Sequence, residues 1–334
     1  MPDMLAHHEV AEAARARLAE GPLARLLCDQ HDAFKVGAQG PDFLFYAGVW
    51  PGQASRADVA AVTHRHKTGE TVAALVAQAA AAPAPEREIV AAFACGYAAH
   101  LCLDASAHPW IQYWTGDVER TGDPAATAPA RRRHGVLEAS IDVTLSRRRS
   151  PDRGWVHRQR LLVMPPEQVD AVSAAWERVV DEVYGLRFTA AEGRAAFRDM
   201  AFMYGNMSDR RTAFSRAVLA LGPLVDPDGT NRVVIYPREP HPVAAGLLTG
   251  RRTWCNPWVP RRPRRETFAE LMDAAAGWAH TCLEAIEAVL FRGAGPGEVV
   301  AATDDASMLT GLPCDDPRAP VAFAAGIERL WGTW

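Results

Sequence analysis

The chain has 334 residues, 49% of them hydrophobic and 23% charged, with a formal net charge of −4. That mixture can bury a large core and is too polar overall for a membrane protein. The near balance of charge argues against a strongly basic nucleic-acid binder and against an acidic surface.

The first residues, MPDMLAHHEV, contain no basic leader, apolar run or cleavage site. No stretch approaches the uncharged apolar length that spans a bilayer, so a cytoplasmic protein is expected. Six cysteines (Cys28, Cys95, Cys102, Cys255, Cys282 and Cys314) are scattered without a CxxC pair. Buried free thiols are therefore expected rather than a disulfide framework or a zinc knuckle.

The periodicity is helical almost throughout. Over 9–27, Val10, Ala14, Leu18 and Leu23 fall at helical spacing, and an Ala- and Val-rich helix is predicted over 57–81, stopped by the Ala-Pro run at 82–85. Residues 86–107 are nearly uniformly apolar, as suits a core helix, and Pro109 is expected to close them. A loop is expected over 115–130, then helices over 131–148, 166–185, 189–206, 208–220 and 265–292. The Pro-rich stretch 222–264 reads as a long irregular excursion, with RVVIY at 232–236 the one strand-like run. Residues 293–318 read as loop before a last short helix. The fold class predicted is all-α, one domain over 1–334. Residues 1–150 form its metal-binding half and 151–334 supply supporting helices and loops.

Chemistry concentrates in two segments. In His100-Leu-Cys-Leu-Asp104-Ala-Ser-Ala-His108 the polar residues are four apart. Each step of four turns about 40° around a helix, so the three share an arc of about 80°. A buried carboxylate needs a compensating cation. Two imidazoles on its face make a metal ion the natural one, of the zinc, iron or manganese type. A metal-free His–Asp–His hydrogen-bond network is the other reading. His134-Gly-Val-Leu-Glu138 repeats the spacing, and Asp142 continues its stripe. A His–Glu pair four apart is by itself commonly a surface hydrogen bond, but two such stripes on apolar helices reinforce each other. Further candidates are His7 and His8, Asp42 in the turn Gly40-Pro41-Asp42, and His64 and His66. An Asp beside a turn usually caps a helix, and paired histidines before a helix are usually exposed. The Arg runs at 131–133, 147–149 and 261–265 read as solvated helix ends.

Taken in order, these segments resemble the zinc-dependent phospholipase C superfamily, which includes fungal single-strand nucleases with 3′-nucleotidase activity. The resemblance is closer to its bacterial cytosolic branch. It rests on Met1-Pro2 through Ala6-His7, the GPD segment from Gly37 to Tyr46, HxxxDxxxHPW at 100–110, HxxxE at 134–138, Trp254-Cys255-Asn256-Pro257, Thr267 to Leu271, and Leu309-Thr310-Gly311-Leu312-Pro313. It implies two to three zinc ions. His100, Asp104, Asp42 and His66 would hold the first, with His66 preferred to His64 because Lys67 follows it. His108, His134 and Glu138 would hold the second. Asp104 would bridge to a third, helped by His7, which is preferred to His8. Secreted members begin with a Trp that ligates the third ion, whereas this chain begins Met-Pro. The implied activity is hydrolysis of a phosphate ester (a phosphodiester lipid, a nucleotide or a small phosphorylated metabolite) by metal-bound hydroxide, with Asp42 as general base. A lyase, cyclase or oxygenase on the same scaffold, or a non-catalytic scaffold protein, are the alternatives.

Overall fold

In a computed structural model that describes residues 4–48, 50, 55–118, 124–149, 158–207, 213–225 and 237–332, nearly every element is a helix. They are α1 (Met4–Arg15), α2 (Pro22–Asp29), α3 (His31–Gly37), a 3₁₀ helix (Gly40–Tyr46), α4 (Ala57–Arg65), α5 (Thr68–Ala81), α6 (Glu86–Thr115) and α7 (Pro124–Arg149). A 3₁₀ turn (Arg158–Leu161) leads to α8 (Pro166–Tyr184), α9 (Ala190–Met207), α10 (Ala213–Val225) and α11 (Pro242–Thr249). The chain ends with α12 (Phe268–Arg292), α13 (Gly297–Thr303) and α14 (Ile327–Trp331). The only sheet among the described residues pairs β1 (Trp254–Cys255) antiparallel with β2 (Pro263–Arg264). The all-α expectation holds; the strand-like run 232–236 lies outside the described residues.

α6 is the axis, with α1, α3, α5, α8 and α12 packed around it. By length and composition it could cross a bilayer, contrary to the sequence reading, but 94% of its most apolar window is buried by the surrounding helices. Its apolar surface is spent on protein contacts. α3 meets it at backbone distance. A Cβ at Gly96 would stand 2.2 Å from the Phe34 carbonyl oxygen, and one at Gly37 would stand 2.2 Å from that of Phe93. Only glycines permit this approach, and it carries the chain after α3 directly over His100. α12 begins with a capping box, Thr267 with Glu270, and ends at Gly293 in the left-handed region.

Several boundaries depart from the sequence reading. The helix predicted over 9–27 breaks after Arg15 and restarts at Pro22, and the one over 57–81 breaks at His66 and Lys67. α3 and the 3₁₀ helix at 40–46 were not foreseen, and α7 begins inside the expected 115–130 loop. α11 lies in the stretch read as irregular, and α13 in the expected loop over 293–318. Pro109 does not close α6, which runs on to Thr115. Proline removes the N–H that the Ala105 carbonyl would receive. Gly311, at φ 65°, covers that carbonyl: a Cβ there would be 2.3 Å from the Ala105 oxygen. Only a glycine Cα–H can face it. The cysteines are unpaired as expected, though Cys28 is exposed while Cys95, Cys102 and Cys282 are buried.

Candidate metal centre

The polar stripe of α6 is wholly buried: His100 and Asp104 have no exposed surface and His108 has almost none. Around it converge side chains from four other elements. α1 brings the His7 Nε2 to 3.3 Å from Asp104 Oδ1. The 3₁₀ helix brings Asp42, whose Oδ1 is 3.8 Å from His100 Nε2. α4 brings His64, its Nε2 3.0 Å from Asp42 Oδ1. His100 Nε2 itself lies 3.1 Å from Asp104 Oδ2. α7 supplies the second group: His134 Nε2 is 2.9 Å, and His108 Nε2 3.8 Å, from Glu138 Oε1. Ligand atoms come within 4.8 Å of one another in the sets His7–Asp42–His100, His64–His100–Asp104 and His108–His134–Glu138.

Backbone carbonyls orient the imidazoles. Nδ1 of His64 pairs with the Ala60 oxygen at 2.6 Å, Nδ1 of His100 with that of Ala38 at 3.3 Å, and Nδ1 of His108 with that of Met308 at 2.6 Å. With Nδ1 occupied, each ring turns its Nε2 inward, the arrangement by which outer partners fix metal-binding histidines. Met308 directly precedes the LTGLP segment that contains Gly311, so this one stretch of chain serves both the site and the Pro109 break. Asp142, read as part of the α7 stripe, lies apart from the ligand sets. Its oxygens accept the N–H groups of Leu5 at 2.9 Å and of Ala6 at 3.3 Å. Those are unsatisfied donors of the first turn of α1, so Asp142 positions the helix that carries His7.

The atoms facing inward suit a cation. Both oxygens of Asp104, both nitrogens of His7 and Nε2 of His100 are buried without a hydrogen-bond partner. Such groups are costly unless something else satisfies them. Their spacings of 3.1 to 3.8 Å bracket the edge of about 3.3 Å expected for a tetrahedron with zinc–ligand bonds near 2.0–2.1 Å. Burial alone would raise the Asp104 carboxyl, but the imidazoles of His108, His100 and His7 outweigh it and hold it well below the usual carboxylate range. Glu138 is held low in the same way against burial, chiefly by His134. Burial pushes the His134 imidazole down despite Glu138. Nitrogen and carboxylate oxygen donors without thiolate match zinc, iron or manganese.

His66 is not brought to this cluster. α4 ends at Arg65, so His66 adopts extended backbone as the cap residue, with an exposed side chain, and its carbonyl accepts the Tyr184 hydroxyl at 2.8 Å. His64, in the last turn of α4, takes the place expected of it. His8 is buried on α1 outside the three ligand sets. Asp42 caps no helix; its carboxylate meets His64 instead. His64→Ala is expected to lower bound metal by about one ion per chain, while His66→Ala leaves it unchanged. Metal content of the two purified variants checks this, and the reverse pattern would restore His66.

Gly40, at φ 53°, packs directly against His100: a Cβ there would be 2.2 Å from the ring. Gly40→Ala combines left-handed strain with displacement of a buried imidazole. A loss of about 1–3 kcal/mol in denaturant melts is expected, with weaker metal retention.

A sequence model of one family, described as zinc dependent phospholipase C, matches residues 6–191. That span contains every ligand candidate above. Neither the curated proteins nor the solved structures contain a match to the chain.

Proposed function

The chain belongs to the zinc-dependent phospholipase C family, and from that premise we propose that it hydrolyses a phosphate ester at the His/Asp/Glu cluster of α1, α4, α6, α7 and the 3₁₀ helix. The observation that carries this reading is Asp104, a fully buried carboxylate ringed by three imidazoles with neither oxygen hydrogen-bonded.

In this reading Asp42, His64, His100 and Asp104 would hold one ion and His108, His134 and Glu138 another, and His7 with Asp104 would help hold a third. Bound zinc would supply a Lewis acid that activates water at neutral pH and offsets phosphoryl charge. The protein's own contribution is orientation and proton transfer. The carbonyls of Ala60, Ala38 and Met308 fix three imidazoles, so little reorganisation accompanies reaction. Asp42, 7% exposed beside a completely buried Asp104, is the carboxylate of the first ligand group that water can reach. It takes a proton from the attacking water as the new P–O bond forms. The ester P–O bond breaks, and the departing alkoxide takes the proton that Asp42 received, which returns Asp42 to its carboxylate form. The substrate is a lipid or small-molecule phosphate ester.

Protein purified without added metal should contain two to three equivalents of zinc and hydrolyse bis(p-nitrophenyl) phosphate. Excess chelator should abolish the rate, and zinc should restore it. A rate unaffected by chelator, or no hydrolysis by zinc-replete protein, would overturn the proposal. Iron in place of zinc would redirect it toward redox chemistry.

A further inference from the structure

The polar stripe of α6 continues one turn past His108. His100, Asp104, His108 and Gln112 climb the helix in steps of about 40°, within an arc of about 120°. Leu103, Ala107, Trp110, Ile111 and Trp114 of the same turns are packed into an apolar core cluster. Gln112 has no exposed surface, and neither its Oε1 nor its Nε2 has a hydrogen-bond partner. A buried amide with both ends unsatisfied costs more than an apolar side chain of the same shape.

The packing of α7 on α6 shows what lies beside it. The rings of His108 and His134 stack 5.6 Å apart. One residue earlier, Arg133 Nε donates to the Thr115 carbonyl at 2.7 Å. A Cβ at Gly116 would be 3.1 Å from the Arg133 guanidinium and 3.5 Å from Ala130. The helices therefore run antiparallel, with His108 level with His134 and Glu138, and Thr115 and Gly116 level with Arg133 and Ala130. Gln112 lies between these two levels, one helical turn beyond His108 of the second ligand group.

We propose that Gln112 is a specificity-determining residue that receives the retained alcohol of the phosphate ester at the second ligand group, selecting a polyol phosphate over a quaternary-ammonium one. The proposal rests on the phosphoesterase reading of the site. A primary amide offers donors at Nε2 and an acceptor at Oε1. An ester or phosphoryl oxygen satisfies Nε2, and a hydroxyl on the retained alcohol satisfies Oε1. A glycerol-like alcohol brings both groups. A trimethylammonium alcohol has no hydrogen to donate and would leave Oε1 buried and unpaired, the situation in which polar sites discriminate most strongly.

The test compares the zinc-loaded wild type with Gln112→Met, which keeps length and volume but removes both hydrogen-bonding atoms. Binding of glycerol 1-phosphate and of phosphocholine is measured by calorimetry, alongside zinc content and melting temperature. Hydrolysis of p-nitrophenyl phosphoglycerol and p-nitrophenyl phosphocholine is followed in parallel. The wild type should prefer the glycerol ligand by at least about tenfold. The variant should keep its zinc, melt no lower than wild type, and lose the preference. Gln112→Leu serves if the Met variant does not fold. An unchanged preference in the variant, or none in the wild type, overturns the proposal. So does a lower melting temperature with equal weakening of both ligands, which marks a structural amide bridged by water. Absence of hydrolysis by wild type counts against the phosphoesterase reading alone, because the binding ratio is read without turnover.

Discussion

Asp104→Asn is expected to empty the first ligand group of metal, reduce phosphodiesterase turnover by at least about three orders of magnitude, and shrink the fall in melting temperature that chelator causes. Asp104 is buried completely and receives no hydrogen bond. Its charge is balanced only by the imidazoles of His108, His100 and His7, and by whatever cation sits among them. An amide oxygen at that position can still point inward, but it carries no net charge, and its NH₂ must face ring nitrogens that present lone pairs to a metal. Loss of this one group removes a shared element of both electrostatic stabilisation and ligand geometry, for which single deletions cost about 10²–10³ at ordinary oxyanion donors. The stability effect follows from linkage. A ligand present at a hundred times its dissociation constant stabilises by about 2.7 kcal/mol, which for a large domain is about 5–10 °C in melting temperature. Wild type should lose that amount on chelation. The Asn variant should begin below wild type and lose on chelation only what the second ligand group contributes, since the two perturbations overlap at the first group. Metal analysis and melts with and without chelator check it. An Asn variant that keeps full zinc would mean that the carboxylate is part of a metal-free polar network.

The cluster was legible where the carboxylate and imidazoles sit on a helix that is otherwise apolar. His100, Asp104 and His108 stand out because nothing else on α6 beyond its first turn is charged, and the His134–Glu138 pair repeats the same spacing. Legibility failed where tertiary contacts decide. Helical spacing cannot tell His64 from His66; that depends on α4 stopping at Arg65 and on Tyr184, from a distant helix, taking the His66 carbonyl. Pro109 ends most helices, yet here Gly311, from two hundred residues away, covers the carbonyl it strands. Asp142 continues the α7 stripe in sequence but turns its oxygens to the first turn of α1. The Met308 carbonyl that orients His108 has no side-chain signature at all. Short elements such as α3 and the 3₁₀ helix pack against α6, α3 at a distance that Gly37 and Gly96 permit, and no local pattern encodes those contacts.

Asp42→Asn separates the roles that the two carboxylates of the first group share. Asp104 lies at its centre; Asp42 lies at its margin, with Oδ1 3.0 Å from His64 Nε2 and 3.8 Å from His100 Nε2, and keeps a small exposed edge. Asparagine preserves size and one oxygen capable of ligation, but it cannot accept a proton from water. Most of the zinc should therefore remain while turnover falls by at least about two orders of magnitude, the usual worth of a general base. Zinc content and rate measured on one preparation decide between three cases. Retained zinc with a depressed rate identifies Asp42 as the base. Zinc lost together with activity makes Asp42 chiefly a ligand, whose charge the site needs as it needs that of Asp104. Zinc and rate both retained would place the proton acceptor elsewhere, and the assignment of Asp42 to the attacking water would fall.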